Sequence, residues 1–200
     1  KRNVDIALVR NGSRGMFWLE PLVEVETATG RVAYGPVQAS DVVGLFEANF
    51  VSGGEHPLRL GPTEQISFFK RQQRLTFARI GVTDPLSLDD YRAYGGFAGF
   101  EKARAMEPMA VVEEILASGL RGRGGAGFPA GIKWRTVLEA AGTQKYIVCN
   151  ADEGDSGTYA DRMVMEGDPF MLIEGMAIAG LAVQATKGLV YIRSEYPHAI

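Results

Sequence analysis

Two stretches of this sequence carry residue types that could do chemistry. The first, Gly119–Trp134, reads GLRGRGGAGFPAGIKW. Glycine has no side chain, so its backbone N–H can be brought against an anion and help to cradle it. Gly122, Gly124, Gly125 and Gly127 stand close together, flanked by Arg121, Arg123 and Lys133. That combination suits a phosphate or a pyrophosphate. Phe128 followed by Pro129 offers a rigid aromatic face on which a flat ring can stack. A helix starting near Trp134 would add the positive end of its dipole.

The second stretch, Asn150–Arg162, reads NADEGDSGTYADR and directly follows the strand-like YIVC of 146–149. Ligand loops gather at the carboxyl ends of strands in parallel sheets. Asp152, Glu153 and Asp155 crowd together there. Carboxylates repel phosphate, so they suit ribityl or ribose hydroxyls, ring N–H groups and a nicotinamide amide. Asn150 both donates and accepts, which fits the edge of a flavin ring. Taken together, the stretches read as one site, with a cationic backbone cradle for phosphate and an acidic loop for hydroxyls and rings.

Other readings compete. A glycine-rich loop is often a tight turn, and RGRGG echoes disordered RNA-binding tracts. A P-loop needs Ser or Thr after its lysine, whereas Trp134 follows Lys133. In the standard dinucleotide fingerprint the glycines follow a strand; here they follow a helical stretch. The acidic stretch could be a solvated turn or a metal loop, but it lacks the ligand ladder and distal glutamate of a calcium loop. Cys149 reads as core. His56 and His198 have no assignable partners. Met163, Met165, Met171 and Met176 read as core residues of one long helix.

The elements that must position these residues follow from periodicity and breakers. Asp5–Arg10 reads as a strand ending at the Asn11-Gly12 turn signal. Pro21–Thr27 alternates apolar and acidic residues and, with Arg31–Tyr34, makes a hairpin. Ala39–Phe50 reads as a helix stopped by Gly53-Gly54. Ser67–Asp84 is a charged connector, partly helical, whose Lys70–Arg74 run is a solvated face. Leu86–Ala93 and Gly99–Arg104 are short helices. Pro108 opens a firmer helix that Gly119 ends. A helix from Trp134 to Ala141, the Tyr146–Cys149 strand, a helix capped by Asp168 and running to about Lys187, and the Leu189–Arg193 strand complete the pattern, with Gly188 as the long helix's terminator. Strand, loop, long helix and strand spell a βαβ unit. The fold class expected is α/β, with a small module over 1–62, a connector over 63–107 and a cofactor domain over 108–200.

Composition bounds the rest. The net charge is −3 and the pI near 5.5, so nothing draws the whole chain to nucleic acid or an anionic membrane. No apolar run approaches the ~20 residues of a membrane span. Lys1 and Arg2 lead straight into an apolar run, unlike a signal peptide. One cysteine excludes a disulfide framework, and a reducing cytoplasm is the default location. The chain starts without methionine and stops just after a strand, so it reads as a fragment truncated at both ends.

GLRGRGGAGFPAGIKW, NADEGDSGTYADR and YIRSEYPHA together resemble the FMN- and NADH-binding flavoprotein subunit of respiratory complex I. The same subunit type occurs in NAD-reducing hydrogenases and NAD-dependent formate dehydrogenases. The resemblance spans roughly Ser87 to Ile200. It implies FMN in a Rossmann-like domain with NADH stacked on the flavin, hydride passing between them and electrons leaving through Fe–S clusters. By position, Gly122, Arg123, Gly124, Gly125 and Lys133 would hold FMN phosphate and ribityl. Asn150, Asp152 and Glu153 would contact ribityl and ring, with Glu153 tuning the flavin potential. Gly125, Phe128 and Asp155 would serve NADH, Phe128 by stacking on its adenine. Asp155 stands where many members carry glutamate, Thr136 where some offer a second aromatic, and Ser194 replaces the glycine of the usual RGEY.

The first 60 or so residues resemble a thioredoxin-like ferredoxin domain. SRGMFWLEPLVEVE follows the CxGxCxxxPxVxV pattern, with Ser13 and Phe17 at the cysteine positions. Fe–S ligation needs thiolates, so the module should be cluster-free and structural. Such a module looks most like the β subunit of a soluble NAD-dependent formate dehydrogenase; the diaphorase subunit of a hydrogenase or a complex I flavoprotein is the alternative. The resemblance also implies a [4Fe–4S] cluster in a later segment. The partners it implies are NADH, a [2Fe–2S] thioredoxin-like γ-type subunit and a large formate-oxidising molybdenum subunit, with no nucleic acid and no direct membrane insertion. Two rivals remain: a scaffold that kept the fold and lost the flavin, and an RNA-binding module using RGRGG.

Overall fold

The structure, a computed structural model, describes residues 4–155 and 157–200. The readings that involve Lys1, Arg2 and Ser156 lie outside the described residues. The chain divides into two compact units, one of Ser13–Ala78 and one of the leading segment to Gly12 together with Arg79–Ile200.

The Ser13–Ala78 unit is built on a three-stranded antiparallel sheet, ordered β1 (Val23–Thr27), β2 (Gly30–Tyr34), β3 (Arg59–Pro62). Between β2 and β3 lies α1 (Val42–Glu47), flanked by single 3₁₀ turns, and α2 (Ser67–Lys70) follows β3. The hairpin expected from PLVEVET forms, with Val25 opposite Val32. Val32, Tyr34, Val37 and Leu45 make the buried core. Two expectations change here. Glu24 does not face water: it pairs with buried Arg14 at 3.0 Å. Arg74 leaves the solvated run, because its guanidinium stacks on the buried Phe69 ring at 5.0 Å. Ser13 Oγ donates to Glu20 at 2.5 Å and accepts the Gly15 N–H at 3.0 Å, while Phe17 is half exposed.

The other unit carries α3 (Leu88–Ala93), α4 (Ala98–Arg104), α5 (Pro108–Ala117), α6 (Ala130–Glu139), β4 (Tyr146–Ala151), α7 (Ala160–Gly167), α8 (Pro169–Val183) and β5 (Lys187–Ile192). β4 and β5 pair in parallel, with Asn150 level with Tyr191, and helices fill the crossover. This is the expected βαβ unit, and the α/β class holds. Val111 and Val112 of α5 pack with Ala182 and Val183 of α8 as the core, and Trp134, Leu138 and Ile147 lie against it.

Several local expectations are corrected. Asp5–Arg10 is not a strand: Ile6, Leu8 and Val9 are exposed, and no strand pairs with them among the described residues. The segment is held at its end instead. Asn11 donates to the Thr83 carbonyl at 2.8 Å and accepts from Gly81 N–H at 3.2 Å. The Gly12 and Gly167 backbones meet so closely that a Cβ on Gly12 would lie 2.5 Å from Gly167 Cα. The long helix stops four residues early, at Val183, because Gln184 takes the left-handed conformation (φ 61°). Gly188, expected to end it, lies inside β5. Met163 and Met165 belong to α7, a separate helix within the stretch read as a loop. Asp168 makes no side-chain cap; its carboxylate turns to Arg79 at 2.8 Å. His56 finds a local partner, accepting the Leu58 N–H at 3.2 Å.

Candidate functional site

The glycine stretch forms a closed bow between α5 and α6. Arg121 and Pro129 pair across its neck. The Gly122 N–H donates to Phe128 O and the Ala130 N–H to Leu120 O, both at 2.8 Å. The Arg121 guanidinium donates to Gly127 O at 2.5 Å. Arg121 and the Gly122 N–H therefore hold the bow shut, and the segment from Arg123 to Ala126 is left exposed at its tip, with Lys133 exposed on the first turn of α6. α6 begins at Ala130, four residues before the expected start, so Lys133 lies within the helix rather than ahead of it.

The bow passes a simple test for a bound anion. A Cβ on Gly124 or Gly125 would meet no protein atom within 4 Å, and on Gly122 the nearest is Phe128 O at 3.6 Å. The protein's own packing therefore does not demand glycine at 122 or 124, while Gly125 needs it for its φ of 124°. Bare backbone beside exposed Arg123 and Lys133 fits the phosphate of a flavin nucleotide. Phe128 is 49% exposed, so its ring is open to stacking.

The acidic stretch divides by role. Asn150 and Asp152 line a hollow of about 470 Å³ together with Val148 and Tyr191. The glycine bow does not line it. Tyr191, to which the sequence alone assigns no role, is 63% exposed, one strand across from Asn150. The parallel register of YIVCN against LVYIR was the signal that could have found it. Asp155 and Gly154 are exposed. Glu153 is engaged elsewhere: its carboxylate accepts the Asp161 and Arg162 N–H groups of α7, each at 2.9 Å, and the Tyr196 hydroxyl at 3.0 Å. Its φ is 47°, in the left-handed region that non-glycine residues seldom occupy. Burial raises the Asp161 carboxyl, and the Glu153 charge adds to the rise. Arg193 bridges to Glu195, which holds the Glu195 carboxyl down at about 2. Thr136 is exposed and returns its hydroxyl to Ile132 O at 3.0 Å. Cys149 is half-buried beside Ala151, Met165 and Tyr196, and burial pushes its thiol up, as a core residue requires.

Comparison with known proteins fits this geometry. The profile of the Nuo51 FMN-binding domain matches residues 115–200, a span that holds both the bow and the acidic loop. Residues 115–200 belong to the Nuo51 FMN-binding domain family. The FMN-binding domain's relatives extend the match toward the N-terminus. The NADP-reducing hydrogenase subunit HndC of Solidesulfovibrio fructosivorans is 54% identical over 131 residues, 66% of this chain and 26% of that protein. A flavoprotein component of the NADH-quinone oxidoreductase of Rhizobium meliloti is 50% identical over 122 residues, 60% of this chain and 29% of that protein. The crystal structure of an air-oxidized NAD+-reducing [NiFe]-hydrogenase aligns with a TM-score of 0.50 at 32% identity, covering 84% of this chain and 27% of that one. The chain thus spans about a quarter of the length of these relatives. Among the described residues, no helix is long and apolar enough to cross a membrane.

Proposed function

We propose that this chain is part of a diaphorase-type subunit that binds FMN and NADH and moves reducing equivalents between NAD(H) and iron–sulfur centres. The observation that carries this reading is the open glycine bow, where Gly124 and Gly125 present bare backbone to solvent between Arg123 and Lys133. FMN, when bound, supplies a ring that takes a hydride from nicotinamide and releases its two electrons one at a time. Gly122, Arg123, Gly124, Gly125 and Lys133 hold its phosphate and ribityl. Gly122 serves by its bare Cα, since its N–H is spent on Phe128 O. Asn150 and Asp152 meet ribityl and ring from the end of β4, Tyr191 walls the same hollow, and Phe128 with Gly125 and Asp155 receives NADH. No covalent protein intermediate is needed; the residues position and polarise.

Glu153 is the tuning carboxylate. A negative charge near the flavin disfavours the anionic reduced form and lowers its potential. Glu153→Gln should raise the potential in an anaerobic titration, and an unchanged value removes Glu153 from this role.

The finer reading is a soluble NAD-dependent formate dehydrogenase in the cytoplasm, supported by Ser13 and Phe17 at the positions of cluster cysteines. The hydrogenase relative at 54% identity favours a second reading, the diaphorase subunit of a hydrogenase. In either, the partners are a [2Fe–2S] thioredoxin-like subunit and a large catalytic subunit, and a [4Fe–4S] cluster lies outside this chain. The decisive test is an absorption scan of the intact protein mixed anaerobically with NADH. A flavin band that bleaches supports the diaphorase; a protein that neither carries nor takes up FMN means a scaffold. Formate or hydrogen as the reductant that drives NAD+ reduction in the purified complex then separates the two assemblies.

A further inference from the structure

Four donors converge on Glu153. Two are the Asp161 and Arg162 N–H groups, in the first turn of α7, where backbone donors lack partners within the helix. The third is the Tyr196 hydroxyl on Oε2 at 3.0 Å, and the fourth is Arg193, which donates to the Glu153 carbonyl at 2.9 Å. Tyr196 itself is 5% exposed. Its ring is flanked by the Arg162 guanidinium at 5.7 Å and that of Arg193 at 5.3 Å, and it packs with Ala151 and Met165. A phenol gripped by these neighbours has little freedom to turn, so its hydroxyl stays aimed at the carboxylate. Burial, and then the bond to Glu153, keep that phenol protonated past its ordinary range.

We propose that Tyr196 is a positioning residue of the flavin site: through its hydroxyl it holds the Glu153 carboxylate, draws charge off it, and so sets how strongly Glu153 lowers the flavin potential. This rests on the FMN reading given above. A hydrogen bond to an ionised acceptor is stronger than a neutral one and spreads the acceptor's charge onto the donor. Loss of the hydroxyl leaves a fuller negative charge facing the ring. Loss of the carboxylate's charge does the reverse. The two changes must therefore move the flavin potential in opposite directions, although the residues touch each other. A merely structural role for Tyr196 has no such sign.

The test is a reductive titration of bound FMN in the intact wild-type protein, Tyr196→Phe, Glu153→Gln and the double variant, with the FMN dissociation constant and Tm measured beside it. The expected result is a downward shift for Tyr196→Phe, an upward shift for Glu153→Gln, and a double variant equal to Glu153→Gln, because the hydroxyl then has no charge to act on. An unchanged potential in Tyr196→Phe overturns the proposal, even if Tm falls. An upward shift, or a shift that persists in the double variant, does the same. Should Tyr196→Phe fail to fold, fluorotyrosine at 196 keeps the ring and strengthens the donor, and an upward shift is then expected. Wild-type protein that binds no FMN sinks the FMN reading itself; wild type that binds FMN beside an indifferent Tyr196→Phe sinks only the role of Tyr196.

Discussion

Gly131, in the first turn of α6, lies against Leu116 near the end of α5: a Cβ there would fall 2.6 Å from Leu116 Cγ, 2.8 Å from its N and 2.9 Å from its Cα. The side-chain contact could yield, but the backbone contacts cannot without moving one helix. These two helix ends are the posts between which the glycine bow is strung. Gly131→Ala should therefore cost about 1–3 kcal/mol through overpacking and displace the bow as well. Expected are a lower Tm and weaker FMN binding together, read by thermal unfolding and by fluorescence titration with FMN.

A buried carboxylate joins the α3–α4 region to α8. Glu174 accepts the Tyr91 hydroxyl, the Phe97 N–H at 2.7 Å and the Phe100 N–H at 2.9 Å. Burial alone would raise its pKa, but these three donors together with Arg79 outweigh it and leave the carboxyl below its ordinary value of 4.5. A lowered carboxyl stabilises the fold above the unfolded value and loses that contribution as pH falls through the folded one. Glu174→Gln has too few lone pairs for three donors and should destabilise by about 1–3 kcal/mol near pH 7. The gap between wild type and variant should narrow below about pH 4, as urea unfolding at pH 7 and pH 3 would record.

Asp168 has the opposite sign. Burial raises it more than Arg79, at 2.8 Å, lowers it. Its charge is tolerated in the fold only because Arg79 is there. Arg79→Met should cost about 3–5 kcal/mol by leaving a buried charge unpaired. Because the raised carboxyl gains protons as pH falls, the variant should recover part of that loss in acid. Arg79→Met combined with Asp168→Asn should recover it at neutral pH. Denaturant midpoints of the single and double variants across pH 4 to 8 check both statements, and a single variant as stable as the parent would refute them.

Phe128 separates the two ligands of the proposed site. Its ring is open to solvent beyond the neck of the bow, where a second flat ring can stack. An aromatic stack is worth about 0.5–1.5 kcal/mol, so Phe128→Ala should raise KM for NADH roughly two- to tenfold, with bound FMN retained and kcat little changed. Loss of FMN in this variant would place Phe128 in the flavin's own pocket instead.

The parts of the fold legible in the sequence are those where one residue type decides the backbone. Pro108 opens α5 at its first position and Gly119 follows its end with a φ of 68°. The YIVC and LVYI runs became parallel partners because both are apolar and separated by a helix long enough to cross back. What escaped depends on contacts distant in sequence. Gln184 rather than Gly188 turns the chain out of α8, since β5 needs Gly188 in register beside Ile147. α7 was hidden because its N-terminal donors are satisfied by Glu153, eight residues upstream, and not by an adjacent cap. The apolar letters of Asp5–Val9 promised a strand, yet a strand exists only where another offers its ladder. The site followed the same rule. Gly124, Gly125, Asn150 and Asp152 were readable by type, whereas Tyr191 became visible only once β5 lay beside β4.

The anchoring of the leading segment has a consequence for the order of synthesis. Asn11 waits for Gly81 and Thr83, and Gly12 meets Gly167. At a translation rate of about 5–20 residues per second, Asn11 and Gly12 are made roughly eight to thirty seconds before Gly167 leaves the ribosome. Throughout that interval Ile6, Leu8 and Val9 trail beside a nascent chain whose sheet β1–β3 is already complete in sequence. This segment is therefore made early and seated late, and a pause or a cut between Ala78 and Gly167 strands it.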